Sequence, residues 1–308
     1  MRLVRRGQEQ EAGTATGTEW IDVDLDEPGA EEWLAERLDL CESTRELLAE
    51  ENTNSRRARV PEGLAMRVCY TGEEGEAIGE DSVLRMGLIV TAERMVSVRR
   101  GPNRELEAVW QGVLRGSLEA DVGWNALALL ISAVSDRVES TLDHLAATLD
   151  ELEDVVFDSG NNLPIDELGK VRRRLIRDRR RISALSRAIE EVAGDRSVAM
   201  RAASSEELTA VAQVMGRHER TAAFYLERAN LLRDQIQSQL SERMNNATLR
   251  LGLVATVFLP LGFLTGLLGI NVAGIPGTHD PQAFWLVCVI LTGLALGAWM
   301  IMARIYRP

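Results

Sequence analysis

Two apolar segments near the C-terminus, 249–269 and 283–303, constrain this chain more than any other feature. The first carries one charge, Arg250, at its very start, and the second carries none. At ~1.5 Å per helical residue, each is long enough to cross a hydrocarbon core of ~30 Å. Buried helices of a soluble core rarely run so far without a polar face, so both segments read as membrane spans. Between them lies an uncharged turn, Gly269-Ile270-Asn271-Val272-Ala273-Gly274-Ile275-Pro276-Gly277. Arg243 and Arg250 precede the first span, and Arg304 and Arg307 follow the second. The connecting loop has no Lys or Arg and carries Asp280. The positive-inside rule then puts both termini in the cytoplasm and the loop outside. Trp285, Trp299 and Tyr306 fall near the ends of the second span, where amphipathic rings settle. No apolar run follows Met1, which predicts no cleavable signal and leaves insertion to the first span.

The remaining 248 residues have the opposite character. They hold 46 acidic and 32 basic residues, a net charge of −14. Such a domain is a poor partner for nucleic acid and either a concentrator of cations or simply soluble. No phosphate-cradling Gly loop with Lys is present, the only lysine being Lys170, and no catalytic triad can be assembled. The chain therefore reads as a non-enzyme without a cofactor. Cys41, Cys69 and Cys288 have no paired spacing, so neither a disulfide nor a thiolate metal site is expected.

The pattern divides the chain into a polar tail (1–17), a cytoplasmic α/β domain (18–120), long cytoplasmic helices (121–248) and the hairpin (249–308). Apolar and polar residues alternate over 18–25, predicting a strand, and 64–70, 83–91 and 95–99 read likewise. Residues 31–38 and 43–50 read as short helices, the second with Ser43 as N-cap and Glu46 completing a capping box. From Asn103 onward the pattern is helical: 125–157, a break at 158–164, 165–192 running back, then a last helix from about Ser204 into the first span. Seven arginines crowd 171–181; the expected partners are Asp150, Glu151, Glu153 and Asp154 on the neighbouring helix.

The last helix carries two stripes. Leu208, Val211, Met215, His218, Ala222, Tyr225, Ala229, Leu232 and Ile236 follow steps of three and four, the spacing of a packing seam. A histidine inside such a seam reads as packed or hydrogen-bonded rather than as a metal ligand. The second stripe runs through the membrane: Asp234, Ser238, Ser241, Asn245, Thr248, Gly252, Ala255, Leu259, Gly262, Gly266 and Gly269. All but Leu259 are small or polar, whereas Val254, Val257, Phe258 and Phe263 are bulky. Small residues on a span suit close helix packing. They equally suit a pore wall, and the polar continuation below the membrane favours the pore. Leu259 then forms a hydrophobic constriction, and Pro260 removes one backbone bond that neighbours must absorb. Two spans cannot enclose a conduit, so this pore requires a homo-oligomer with one stripe per subunit. Asn271 becomes a ring of amide oxygens at the outer mouth, able to hold a cation that keeps its water.

At Gly269-Ile270-Asn271 the chain resembles the CorA superfamily of divalent-cation transporters, whose Gly-Met-Asn signature occupies this place in a C-terminal two-span hairpin. The resemblance extends to Trp20-Ile21-Asp22-Val23-Asp24 and to Val96-Ser97-Val98-Arg99-Arg100-Gly101. Ile270 in place of Met, followed by Val272 to Gly277, is similar to the ZntB branch. Ala273 stands where that branch commonly has a second Gly. The acidic loop motif of many Mg²⁺-type members is missing. The resemblance implies an α+β chain with an α/β base, long helices forming a funnel, a transmembrane hairpin, a homopentamer and a bacterial-type inner membrane. It implies proton-coupled Zn²⁺ uptake, with a passive Mg²⁺, Co²⁺ or Ni²⁺ channel of the same architecture as the alternative. A membrane-anchored cytoplasmic sensor is the third reading. Gly269 and Asn271 match the signature as the outer ion ring, and Ile270 holds its variable position. Asn245, Thr248, Leu259 and Gly262 take pore-facing places by periodicity, in agreement with the family, with Gly252, Ala255 and Gly266 on the same stripe. His279 and Asp280 suit Zn²⁺ capture in the outer loop, or form a solvated turn. With no His or Cys in the stripe, the ion is expected to pass hydrated.

Overall fold

The computed structural model describes residues 2–5, 8–10, 19–37, 44, 47–48, 55–60, 63–71, 83–91, 94–115, 123–158, 163–195, 202–270 and 282–305. The chain divides into two compact units, Met1–Arg233 and Asp234–Pro308.

The first unit is built on a seven-stranded sheet in the order β2-β1-β3-β7-β6-β5-β4. Its strands are β1 (Arg2–Arg5), β2 (Gln8–Gln10), β3 (Glu19–Asp24), β4 (Arg56–Val60), β5 (Gly63–Thr71), β6 (Val83–Thr91) and β7 (Arg94–Arg99). Only β3 and β7 pair in parallel; the other neighbours are antiparallel. Helix α1 (Ala30–Arg37) lies in the β3–β4 connection, followed after the sheet by α2 (Arg104–Leu114), α3 (Trp124–Asp158), α4 (Ile165–Ala193) and α5 (Ala202–Leu268).

Alternation along the strands sorts side chains to two cores. Leu64, Met66, Val68 and Tyr70 of β5 join Trp20, Leu88 and Met95 against α2, α3 and α4. Ile21, Val23, Ala65, Ile89, Val96 and Val98 point the other way, onto Ala30 and Leu34 of α1 and onto Leu47 and Leu48. Gly87 is required there, because a Cβ would meet Leu48 Cδ2 at 2.6 Å. Burial on both faces explains why β5 and β7 are near-continuous apolar runs.

The two upstream motifs that carry the resemblance are neighbours in this sheet. Trp20 Nε1 donates to Ser97 Oγ (3.1 Å), and Ser97 Oγ donates to Asp22 Oδ1 (2.8 Å). Arg99 clasps Asp22 at 3.1 Å and Asp24 at 2.6 Å. Both motifs thus serve to satisfy a buried polar ladder across the parallel strand pair.

Several expectations need correction. Part of the segment read as a loose tail supplies β1 and β2, because β3 would otherwise present an open edge and Leu3 pairs with Ile21 across it. Strand β4 was not expected: Arg-Arg-Ala-Arg-Val offers only Ala58 and Val60 to the second core, and its pairing with β5 is what makes it a strand. Within 43–50, Thr44, Leu47 and Leu48 are helical, while the capping box of Ser43 and Glu46 lies outside the described residues. Among the described residues, Asp150 and Glu153 of α3 are held by Arg228 of α5, at 2.6 and 2.5 Å, where arginines of α4 were expected. Two of those arginines, Arg174 and Arg181, close instead on Asp178 within their own helix, both at 3.4 Å.

The second unit comprises the C-terminal part of α5 and helix α6 (Ala283–Ile305). The hydrophobic window in α5 has a mean hydropathy of 2.1 with none of it buried.

Candidate ion pathway

Helix α5 is continuous over 67 residues. No glycine cap or β-branched run stops it between the two stripes, and Gly216 is tolerated as an isolated residue. Its first stripe is a packing seam. Leu208, Met215, His218, Ala222, Ala229, Leu232 and Ile236 are all buried, with Val211 and Tyr225 partly so. His218 lies 3.1 Å from Ser135 Oγ of α3 through Nε2. Burial lowers its proton affinity, and Arg217 adds to this; Glu139, Asp136 and Asp143 act in the opposite sense. A neutral imidazole sharing a hydrogen bond is the arrangement expected of a seam histidine, and no cluster of three metal-ligating side chains exists among the described residues.

The second stripe is open to its surroundings throughout. Asp234, Ser238, Ser241, Asn245, Thr248, Gly252, Ala255, Leu259, Gly262, Gly266 and Gly269 are every one exposed. A Cβ added at Gly252, Gly262 or Gly266 meets nothing within 4 Å, so within the described chain no neighbour packs on these glycines. Leu259, at 75 % exposure, is the most exposed of the large apolar side chains. Bulky Phe258 and Phe263 are also exposed, as expected of a lipid-facing surface. The span's own hydroxyls turn inward to the backbone: Thr256 Oγ1 donates to Gly252 O (2.8 Å) and Thr265 Oγ1 to Leu261 O (2.9 Å). Such bonds leave the span without unsatisfied hydroxyls and suit a helix that already lacks one backbone donor at Pro260.

Gly269 ends the helix. Its N–H reaches Thr265 O at 3.0 Å and Gly266 O at 3.1 Å, a shared bond typical of a closing turn. Ile270 follows, half exposed. Asn271, His279 and Asp280 lie outside the described residues. Helix α6 begins where Leu286 N–H bonds Gln282 O (3.1 Å), and Arg304 sits in its last turn. Phe284 and Trp285 are exposed near its start, their rings edge to face at 5.8 Å, and Trp299 is exposed near its end. These are the positions that aromatic residues favour at a bilayer boundary.

The CorA-like Mg²⁺ transporter protein family matches residues 15–304 of this chain. The chain belongs to that family. It is a divalent-cation transporter of the CorA type, and not an enzyme. Among curated relatives, the zinc transport protein ZntB of Pectobacterium atrosepticum is 28% identical over 281 residues, covering 91% of this chain and 85% of its own. The divalent cation transporter CmaX of Pseudomonas aeruginosa is 29% identical over 292 residues, covering 93% and 86%. The solved CorA magnesium transporter of Methanocaldococcus jannaschii superposes with a TM-score of 0.83 at 16% identity, over 98% of this chain and 97% of that one. A likeness at that identity establishes the CorA fold: an N-terminal α/β domain, long helices and C-terminal apolar helices.

Proposed function

We propose that this CorA-family chain imports Zn²⁺ through a homo-oligomeric pore lined by α5. The observation that carries the reading is the unbroken helix whose small and polar stripe stays exposed from Asp234 to Gly269 and leads into Gly269-Ile270-Asn271. Subunits arranged around an axis, five by resemblance, set these stripes against water, with bulky residues such as Phe258 and Phe263 turned to lipid. Asn245, Thr248, Gly252, Ala255, Gly262 and Gly266 line the path, and Leu259 narrows it. Gly269 and Asn271 form the outer mouth, with His279 and Asp280 beside it as a capture point. Residues 18–120 and 121–248 then make a cytoplasmic base and funnel, 249–308 the hairpin, and both termini stay in the cytoplasm. Zinc is supported by Ile270 at the signature position and by relatives that carry zinc in their names.

Reconstituted protein in vesicles loaded with a zinc-sensitive dye tests this reading. Asn271→Leu is expected to lower uptake at least about tenfold, because it removes the amide ring at the mouth. Unchanged uptake would remove the pore assignment and leave the anchored sensor. An inward proton gradient is expected to speed Zn²⁺ entry. A second reading, passive Mg²⁺, Co²⁺ or Ni²⁺ conduction, is favoured by the family's own Mg²⁺ description. Rates indifferent to the gradient, with Mg²⁺ competing equally, would establish that reading instead.

A further inference from the structure

The first unit buries nearly all of its large apolar side chains, so the few left outside it are informative. Among its described residues, the most exposed of this class are Phe157 (72%), Phe224 (64%) and Leu231 (62%). Phe157 lies near the end of α3, whereas Phe224 and Leu231 are seven residues apart on α5. Each of these two follows a buried residue of the seam, Ala222 or Ala229, by two positions, about 200° round the helix. They therefore point away from the core that the seam packs into. In the same steps of three and four that lead on from Asp234, the preceding Leu231, Glu227, Phe224, Arg220 and Arg217 are all exposed. This face holds two lines of heptad spacing. One is apolar, Phe224 and Leu231, bounded by Arg217 and Ser238; the other is charged, Arg220, Glu227 and Asp234.

The size of the apolar line decides what covers it. A Phe buries roughly 150–250 Å² and a Leu less, so the pair offers roughly 400 Å² at most. A stable complex between free proteins needs about 800 Å² from each partner. Copies of this chain held side by side by their spans meet at a high effective concentration, where so small a patch suffices. A parallel copy also presents the same two side chains at the same height. We propose, resting on the oligomeric pore reading above, that Phe224 and Leu231 of neighbouring copies close an apolar collar around the path. Arg220 and Glu227 keep to its water-filled side, since burying charge in an apolar contact is costly. Such a collar offers a hydrated cation no ligand, and a narrow apolar constriction excludes water until the helices part. It acts in series with Leu259 and restrains flux at rest. Nothing in it selects between cations, so the inference holds for Zn²⁺ and Mg²⁺ alike.

Crosslinking and flux of the full-length protein, reconstituted in vesicles loaded with a zinc-sensitive dye, test the collar together. Leu231→Cys treated with a short bis-maleimide is expected to give dimers and larger species on a denaturing gel. Phe157→Cys, at a more exposed position off α5, should crosslink no more than the native chain with its own cysteines. Phe224→Asn with Leu231→Asn wets the collar and is expected to raise Zn²⁺ uptake at least about threefold. Phe157→Asn should change uptake less than about 1.5-fold. Size-exclusion chromatography shows whether the double variant keeps its assembly; where it does not, the crosslinking decides. Leu231→Cys no more crosslinked than Phe157→Cys overturns the collar. So does unchanged or lowered uptake by an assembled double variant. Asn271→Leu in the same vesicles keeps the two readings apart. If it blocks uptake while Leu231→Cys stays uncrosslinked, the pore stands and the collar falls. If uptake is indifferent to it, the pore assignment itself has failed.

Discussion

The two units of this chain solve the problem of apolar surface in opposite ways. In Met1–Arg233 the chain covers its own apolar side chains, down to Trp110 at 0% exposure, edge to face with Trp20 at a centroid distance of 5.0 Å. In Asp234–Pro308 the large apolar side chains stand outward, as Leu251, Phe258, Phe263, Trp285 and Trp299 do. A surface of that kind is stable only in another solvent, the bilayer, and where it turns small and polar it fits neither lipid nor a packed partner within the chain. The contrast teaches that the first unit covers its apolar surface within the chain, whereas the second leaves its large apolar side chains to surroundings outside it.

The sharpest way to break this comparison is to shrink a large side chain on each side of it. Trp110→Ala is expected to cost about 3–5 kcal/mol, since it empties a closed core site. Phe263→Ala removes a comparable ring from a side chain that is 67% exposed and should leave the denaturation midpoint of the first unit within experimental error. Chemical denaturation of the purified chain, followed by far-ultraviolet circular dichroism, reads both. Equal losses would mean that the exposed face is covered by the chain itself.

A smaller effect, on transport rather than stability, comes from bulk added to the stripe. Gly266→Leu is expected to lower ion flux at least about tenfold, or about 1.4 kcal/mol on the barrier, by filling a position where a Cβ now meets open space. Phe263→Leu, on the bulky face, should change flux less than about twofold. If the two substitutions act alike, the stripe is a packing face and the small residues have no role in conduction.

Most of the first unit was legible because its signals are periodic. The three long helices end within a few residues of the expected limits, and β5, β6 and β7 within one or two. What escaped was structure conferred from outside the segment. β1 and β2 are three or four residues long, and β4 bears three arginines; each is a strand because a neighbour offers its edge. The charge partners of α4 were misread for a similar reason. Heptad spacing places acids and bases on helices, but it does not say that Arg228, from a third helix, reaches Asp150 and Glu153 first. In the second unit, periodicity picked out the stripe, and its members are exposed together with most of the span. The proposed mouth rests on one tripeptide, of which Gly269 and Ile270 lie in the described residues and Asn271 outside them.

Arg228 offers the next, weaker handle on how the first unit ties its helices. Its guanidinium makes a paired contact with Glu153, Nε to Oε1 at 2.7 Å and Nη2 to Oε2 at 2.5 Å, and also reaches Asp150. The carboxylates hold its proton more firmly than usual, with Glu153 the main contributor. Because Asp150 is 61% exposed, solvent screens much of this, and Arg228→Ala should cost only about 1 kcal/mol. Arg228→Lys should recover less than half of it, since an ammonium cannot make the fork. Full recovery by Lys would mean that charge alone, without geometry, fixes the contact.

The smallest effect concerns pH and tests whether the seam of α5 belongs wholly to the first unit's logic of self-burial. His218 is packed between α3 and α5, and burial lowers its proton affinity despite Glu139, Asp136 and Asp143 nearby. The unfolded chain therefore takes up this proton at a higher pH than the folded one. The stabilisation is fully present above the ordinary histidine value of about 6.5 and is lost as pH falls through the lower folded value. His218→Gln keeps a partner for Ser135 and cannot titrate, so its stability should fall less than that of the native chain as pH drops from about 7 to 5. Denaturation midpoints measured for both proteins across that window decide it. Parallel curves would show that the histidine already meets water in the folded state, and that the seam is open in the manner of the second unit.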